Sequence, residues 1–285
     1  MLKTSIALWL LLAASAAAGH EFWLLPDHFR LQPGKSTVSL TLSVGENFQG
    51  ERVAFSQPLV AEFVHVAGRR KVDLRQAVQP DAREALALDL RGSGTHVIAL
   101  TTHPGELVLP AERFHAYLRE EGLDSIIRAR EAAGQADTPG RERYRRTIKT
   151  LLQVGHAGDG SHRTRVGQRL EIIPWSDPAQ HGAGDELVFQ VLFDGRPLPG
   201  ALVKFWHRGD DRTRLVRTLT NERGSVRLAP HAAGTWMASV VHMVPAVDTP
   251  RHDWDSYWGN LTFELLGDDA GQSFGRGDAP AASGQ

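Results

Sequence analysis

The stretch GHEFW at residues 19–23 sets an imidazole, a carboxylate and two aromatic rings directly behind an apolar run. That run has Lys3 as a positive start, an apolar centre from Ile6 to Ala14, and small residues from Ser15 to Gly19. This is the pattern of a secretory signal peptide, and it places a cleavage close to His20. A terminal amine beside a histidine is a metal chelate. Its ordinary pKa is about 7.7–8.0, so a divalent ion displaces the proton at modest cost near neutrality. Cutting after Gly19 lets the amine and imidazole of His20 grip one ion. Cutting after Ala18 makes His20 the second residue. Cutting after Ala17 leaves Ala-Gly-His, whose amine, two deprotonated amides and imidazole form a square plane suited to Cu(II) or Ni(II). The sequence leaves all three open. GHEFW also has a reading without metal, in which Phe22 and Trp23 anchor a first strand, each ring contributing about 2 kcal/mol by burial. Glu21 points away from His20 in an extended chain, so its expected role is an ion pair or the orientation of a neighbour.

The 285-residue chain has 13 histidines and no cysteine, so a metal site must draw on His, Met, carboxylate, backbone or amine donors. His242 is the strongest second ligand. In TWMASVVHM, alternation puts Trp236, Ala238, Val240 and His242 on one face, and Met237, Val241 and Met243 on the other. His242 and Met243 therefore reach one ion only if the strand ends between them, close to Pro245. RHDWDSYW offers His252 and Asp253, an imidazole and a carboxylate for a hard or borderline ion. The competing reading of that loop is a capped turn with Trp254 and Trp258 covering a sheet edge. His156, Asp159 and His162 lie in the Gly-rich GHAGDGSH, which reads as a linker.

The elements that must position these groups are mostly strands. From Phe22 to about Leu109, alternating segments such as STVSLTLSVG and LVAEFVHVAG predict short strands. LPAERFHAYLREEGLDSIIRAREAAG has helical spacing at Phe114, Tyr117, Leu118, Leu123, Ile126 and Ile127, with Gly122 as a break. TPGRERYRRTIKTLLQVG predicts a second helix, with Tyr144, Ile148, Leu151 and Leu152 on one side. About seven short strands follow from Thr164. The expected fold is mainly β: two antiparallel β-sandwiches, Ig-like or transthyretin-like, with a helical segment between them. The expected division is a signal peptide at 1–19, an N-terminal sandwich at 20–110, a helical segment and linker at 111–163, a C-terminal Ig-like sandwich at 164–266, and a disordered tail at 267–285.

With 32 basic and 33 acidic residues the net charge is −1, which gives no general attraction to nucleic acid. Past the leader no apolar run approaches the about 20 residues that span a bilayer, so a membrane-embedded chain is not expected. There is no phosphate-cradling Gly loop opening a helix, no GxSxG elbow, and no spacing that marks a glycosidase carboxylate pair. The expectation is a protein that is not an enzyme.

HEFWLLPDHF, LPAERFHAYLREEGL, GRERYRRTIKTLLQVG, LEIIPWSDP, DGRPLPGALV and VVHMVPA…DWDSYWGNLTFEL occur in this order. Together they resemble a bacterial periplasmic family, domain of unknown function 4198, often labelled a periplasmic component of nickel or cobalt uptake. The resemblance runs from His20 to about Leu266. With the chelate chemistry above, it implies a periplasmic protein that binds a divalent transition metal ion (Ni, Co or Cu). Its expected partner is a membrane metal transporter or an outer-membrane receptor. The expected metal residues are His20, His242, His252 and Asp253. The alternative is a metal-free adaptor whose exposed strand edges pair with a receptor or transporter.

Overall fold

The computed structural model describes residues 20–34, 36–78, 83–156, 158–209, 212–247 and 250–267. The expected leader at 1–19 and the expected tail beyond 267 lie outside these. The described residues open with β1 (Glu21–Pro26), β2 (Arg30–Leu31), β3 (Ser36–Glu46), β4 (Gln49–Val53), β5 (Val60–Ala67), β6 (Arg70–Asp73), β7 (Ala85–Leu90), β8 (Gly94–Thr102) and β9 (Gly105–Leu109). Two helices follow, α1 (Ala111–Glu120) and α2 (Asp124–Ala132). The rest is β10 (Gly140–Val154), β11 (Leu170–Pro174), β12 (Leu187–Phe193), β13 (Arg196–Pro197), β14 (Leu202–Arg208), β15 (Thr213–Leu219), β16 (Ser225–Leu228), β17 (Gly234–Pro245) and β18 (Trp254–Leu265).

Three sheets result. A central ten-stranded sheet runs β15-β14-β17-β18-β10-β8-β5-β6, with β2 and β9 also paired to β10. A four-stranded sheet holds β1, β3, β4 and β7, and another holds β11, β12, β13 and β16. The expectation of a mainly β chain with antiparallel sheets is met, although β10 and β18 run parallel.

Alternation along the central strands assigns each small sheet to its own face. In β10, Ile148, Leu152 and Val154 share a core with Phe22, Leu24, Leu40 and Leu42. Leu151 points the other way, into a core with Ile172, Phe189 and Phe205. In β18, Trp258 packs with Phe114 and Leu118 of α1, while Tyr257, Leu261 and Phe263 face β11 and β12. The first sheet and the helices therefore cover one face of the central sheet, and β11–β12 with their neighbours cover the other.

The helical stretch expected over LPAERFHAYLREEGLDSIIRAREAAG is divided at Gly122 into α1 and α2, and α1 buries Phe114, Tyr117 and Leu118 on one stripe. Gly122 ends it in a left-handed conformation (φ +69°), and the Leu123 N–H returns to the Leu118 carbonyl at 2.8 Å. The second expected helix, TPGRERYRRTIKTLLQVG, is instead the 15-residue strand β10. Its apolar residues fit a helical stripe, but every residue from Arg146 to Val154 is buried. A strand buried on both faces hides its alternation when polar residues find partners inside. Here Lys149 meets Glu171 at 2.8 Å, Thr147 donates to the Leu170 carbonyl, and Gln153 accepts from Thr95. Far from being part of a helical linker, residues 140–154 form the strand at which the two halves of the chain meet: β8 and β9 pair along one edge, β18 along the other.

Candidate metal site beside the first strand

Strand β1 is laid down by its own side chains. Phe22 and Trp23 are 3% and 2% exposed, and Glu21 pairs across to Gly45 of β3. Phe22 enters the core between the first sheet and the central sheet. Trp23 packs on Trp206 and Met237 of the central sheet. The anchoring role read from GHEFW is thus realised.

Charged groups fix the same stretch. Lys204 of β14 lies 2.8 Å from Glu21 and 2.7 Å from Glu121, and all three are buried. Burial raises the Glu121 carboxyl to about 7 even though Lys204 pulls it down. Burial lowers the Lys204 ammonium, yet Glu121 and Glu21 together leave it above its ordinary value. Two carboxylates sharing one ammonium in a dry setting cannot both ionise cheaply, so one holds its proton up to near neutrality. Arg146 supplies the second fixing point. Its guanidinium sits over the rings of Phe22, Tyr144 and Trp258, and donates to the His20 carbonyl at 2.8 Å.

These contacts hold His20 beside the β3–β4 hairpin. Its Nε2 lies 3.7 Å from Glu46. Its Nδ1 is buried and makes no hydrogen bond. The hairpin tip that carries Glu46 is strained: Asn47 and Phe48 both have positive φ, +56° and +57°. Paired positive φ is the mark of a tight I′ turn, natural for Asn and costly for Phe. The Phe48 ring is held edge-on against Trp23, 5.7 Å between centroids, and the Asn47 carbonyl accepts from Thr213 at 2.6 Å. An outlier maintained from two sides beside an unsatisfied imidazole is a reason to look for function there.

The other expected ligands lie elsewhere. β17 runs unbroken through His242 and Met243 to Pro245, so their side chains take opposite faces. Met243 packs among the helices. His242 lies against Phe193 of β12, centroids 4.4 Å apart, and pairs in register with Tyr257. That is the β12 side of the central sheet, the face away from β1. Burial lowers the His242 imidazole below its ordinary value. Asp253 takes both nitrogens of a fork from Arg141, at 2.5 and 3.0 Å, and this pairing holds its carboxyl low. His252 is buried, with Nε2 3.9 Å from Asp255. Asp255 is itself gripped by Arg143 at 2.6 and 2.8 Å. Among the described residues, no three His, Asp or Glu side chains gather into a group that would hold a metal. In GHAGDGSH, Asp159 accepts from Thr95 and Ser161, and His162 faces Asp177 at 3.4 Å.

Residues 17–244 match the family described as domain of unknown function (DUF4198). The chain belongs to this family. Among curated proteins, none matches it. The DUF4198 match takes in β1, the helices, β10 and His242, and it ends before His252 and Asp253.

Sequence reasoning missed Glu46, Lys204, Glu121 and Arg146. Glu46 carried one faint signal, the hairpin spacing GENFQG on an alternating strand. The other three reach the chain start from 100 or more residues away, and no local pattern announces such a contact.

Proposed function

We propose that this chain is an exported, non-enzymatic carrier of a divalent transition metal ion, Ni(II), Co(II) or Cu(II). It works in the bacterial periplasm beside a membrane metal transporter or an outer-membrane receptor. One observation carries the reading: the buried Nδ1 of His20 has no hydrogen-bond partner. A buried polar atom left unpaired costs about 1–3 kcal/mol and demands a reason. In a chain cut after Gly19, Nδ1 and the amine of the same residue close a chelate ring on one ion. Glu46 beside Nε2 favours the tautomer that keeps the proton there and leaves the Nδ1 lone pair for metal. Imidazole and amine together suit borderline ions. The ligands proposed are therefore His20 and its amine, with Glu46 orienting the imidazole from its Nε2 side. His242, His252 and Asp253 take no part, because they sit in other surroundings.

The second reading is a metal-free adaptor that pairs through exposed strand edges; among the described residues the large exposed apolar side chains, Val108, Trp175, Leu219 and Val247, lie on four different segments of the chain.

Calorimetry with nickel and copper tests the proposal on three processed proteins: one starting at His20, one starting at Gly19, and the first with His20→Ala. Binding should be tightest for the chain starting at His20, and at least about tenfold weaker in His20→Ala. Equal, weak binding by all three would remove the proposal.

A further inference from the structure

On the face of the central sheet turned to β11 and β12, a cleft of about 490 Å³ opens over β5, β6 and β8. Strand register sets what lines it. Val66 pairs with Lys71 and Val97, Val64 with Asp73 and Ala99, and Glu62 with Thr101, so these side chains leave the sheet on one side. Val66 and Val97 enter the core with Ile172 and Phe189. The cleft begins where that core ends, and Glu62, Val64, Lys71, Asp73, Ala99 and Thr101 line it. The segment leading into β11 is its wall, through Val166, Gly167 and Gln168. Side chains hold this wall in place. The Glu171 carboxylate accepts from the Val166 and Gly167 N–H groups at 2.7 and 3.2 Å. Lys71 donates to the Val166 carbonyl at 3.2 Å and keeps further N–H groups of its ammonium for another partner. Gln168, 6% exposed, donates Nε2 to the carbonyls of Leu100 and Ile148 at 3.0 and 3.3 Å. Carbonyls only accept, so the amide cannot be turned over and Gln168 Oε1 is an acceptor. It is buried and has no hydrogen-bond partner among the described residues.

Charge is laid out along the cleft. At its edge, Asp73 accepts from the Arg75 guanidinium through both carboxylate oxygens. Lys71 stands in the row of Val66, and Glu62 lies four residues back along β5, about 13 Å away at the rise of a strand. One end therefore offers an ammonium and the other a carboxylate, with Val64 and Ala99 between them. We propose that this cleft binds a short free peptide of tripeptide size, independently of any metal at His20. An extended tripeptide spans about 10–11 Å, and the side chains of Lys71 and Glu62 reach over the rest. The peptide ammonium meets Glu62 and its carboxylate meets Lys71. A peptide N–H supplies Gln168 Oε1 with the donor that a buried acceptor requires. Small side chains lie on Val64 and Ala99. The volume falls within the about 300–1,000 Å³ of small-ligand clefts. A single amino acid holds its two charges too close together to reach both ends.

Trialanine is titrated into the whole chain while backbone amide signals are followed by NMR, alongside alanine, N-acetyl-trialanine and trialanine amide. Trialanine should move the signals of Ala99, Thr101 and Gly167. Each capped peptide loses one charged contact and should bind about five- to tenfold more weakly, with alanine weaker still. Glu62 is exposed, so Glu62→Gln should keep the melting temperature. It should cost trialanine the same factor and leave N-acetyl-trialanine unaffected. Lys71→Met should likewise erase the difference between trialanine and its amide, a ratio that a shifted wall alone does not change. His20→Ala should bind trialanine as the native chain does, which separates this cleft from the proposed metal site. Equal binding of trialanine and both capped forms, a preference for the free amine that survives Glu62→Gln, or unmoved Ala99, Thr101 and Gly167 signals at millimolar trialanine would overturn the proposal.

Discussion

Glu121 and Lys204 show how individual residues hold the chain start. The Glu121 carboxyl titrates near 7 in the fold against about 4.5 unfolded, because burial penalises its charged form. The folded state therefore binds a proton more readily than the unfolded chain between those two values. The contribution is fully present below about pH 4.5 and is lost as pH rises through about 7, a change on the order of 3 kcal/mol. Glu121→Gln keeps an acceptor for Lys204 and has no proton to lose. Thermal melts of the two proteins from pH 4.5 to 8 should therefore diverge, the native chain falling behind the variant as pH rises; parallel curves would mean that Glu121 is ionised throughout. Lys204→Met removes the only ammonium between two buried carboxylates. Urea unfolding should show a loss of about 3–5 kcal/mol at pH 8, and a smaller one at pH 5, where one carboxyl is protonated in any case.

The hairpin β3–β4 and the strand β10 carry the element-scale lessons. Phe48 occupies a left-handed position that glycine accepts without cost, but its ring also braces Trp23. Strain of about 1–2 kcal/mol and an aromatic contact of about 0.5–1.5 kcal/mol oppose one another. Phe48→Gly should leave stability within about 1 kcal/mol of the native protein while loosening the tip that sets Glu46 beside His20. Nickel affinity should drop several-fold with little change in melting temperature; a parallel fall in both would make the turn purely structural. The strands of the N-terminal half, helix α1 and its Gly122 stop were legible because their signals are local: alternation, a stripe, a left-handed glycine. So was β17, whose two faces pack in different cores as its alternation requires. β10 was not legible, because Arg146, Lys149 and Gln153 look solvated in sequence and are buried beside distant partners in the fold. The site divides the same way. His20, the anchoring of Phe22 and Trp23, and an ion pair for Glu21 follow from adjacent residues. Glu46 joins the site because β1 pairs with β3, and Lys204 and Arg146 because the first sheet is stacked on the central one.

Across the whole molecule, the central sheet couples what the sequence divides. β18 comes from the C-terminal end, yet nine of its residues pair with β10, and β10 pairs with β8 and β9 from the N-terminal half. A break between the halves would uncover the β10-facing edge of β18, a strand buried on both faces. Unfolding either small sheet likewise exposes one face of the same central strands. The two cores should therefore melt together. Leu40 lies in one and Phe189 in the other, both fully buried. Leu40→Ala and Phe189→Ala should each destabilise by about 2–5 kcal/mol and shift a single calorimetric transition. A fragment of residues 164–267 lacks β10, so it should remain expanded and prone to associate through β18. If that fragment folds alone, or if each variant lowers its own separate transition, the halves are independent units. The chain start would then be held by the first sheet alone, and the Lys204 bridge from β14 would contribute little to fixing His20.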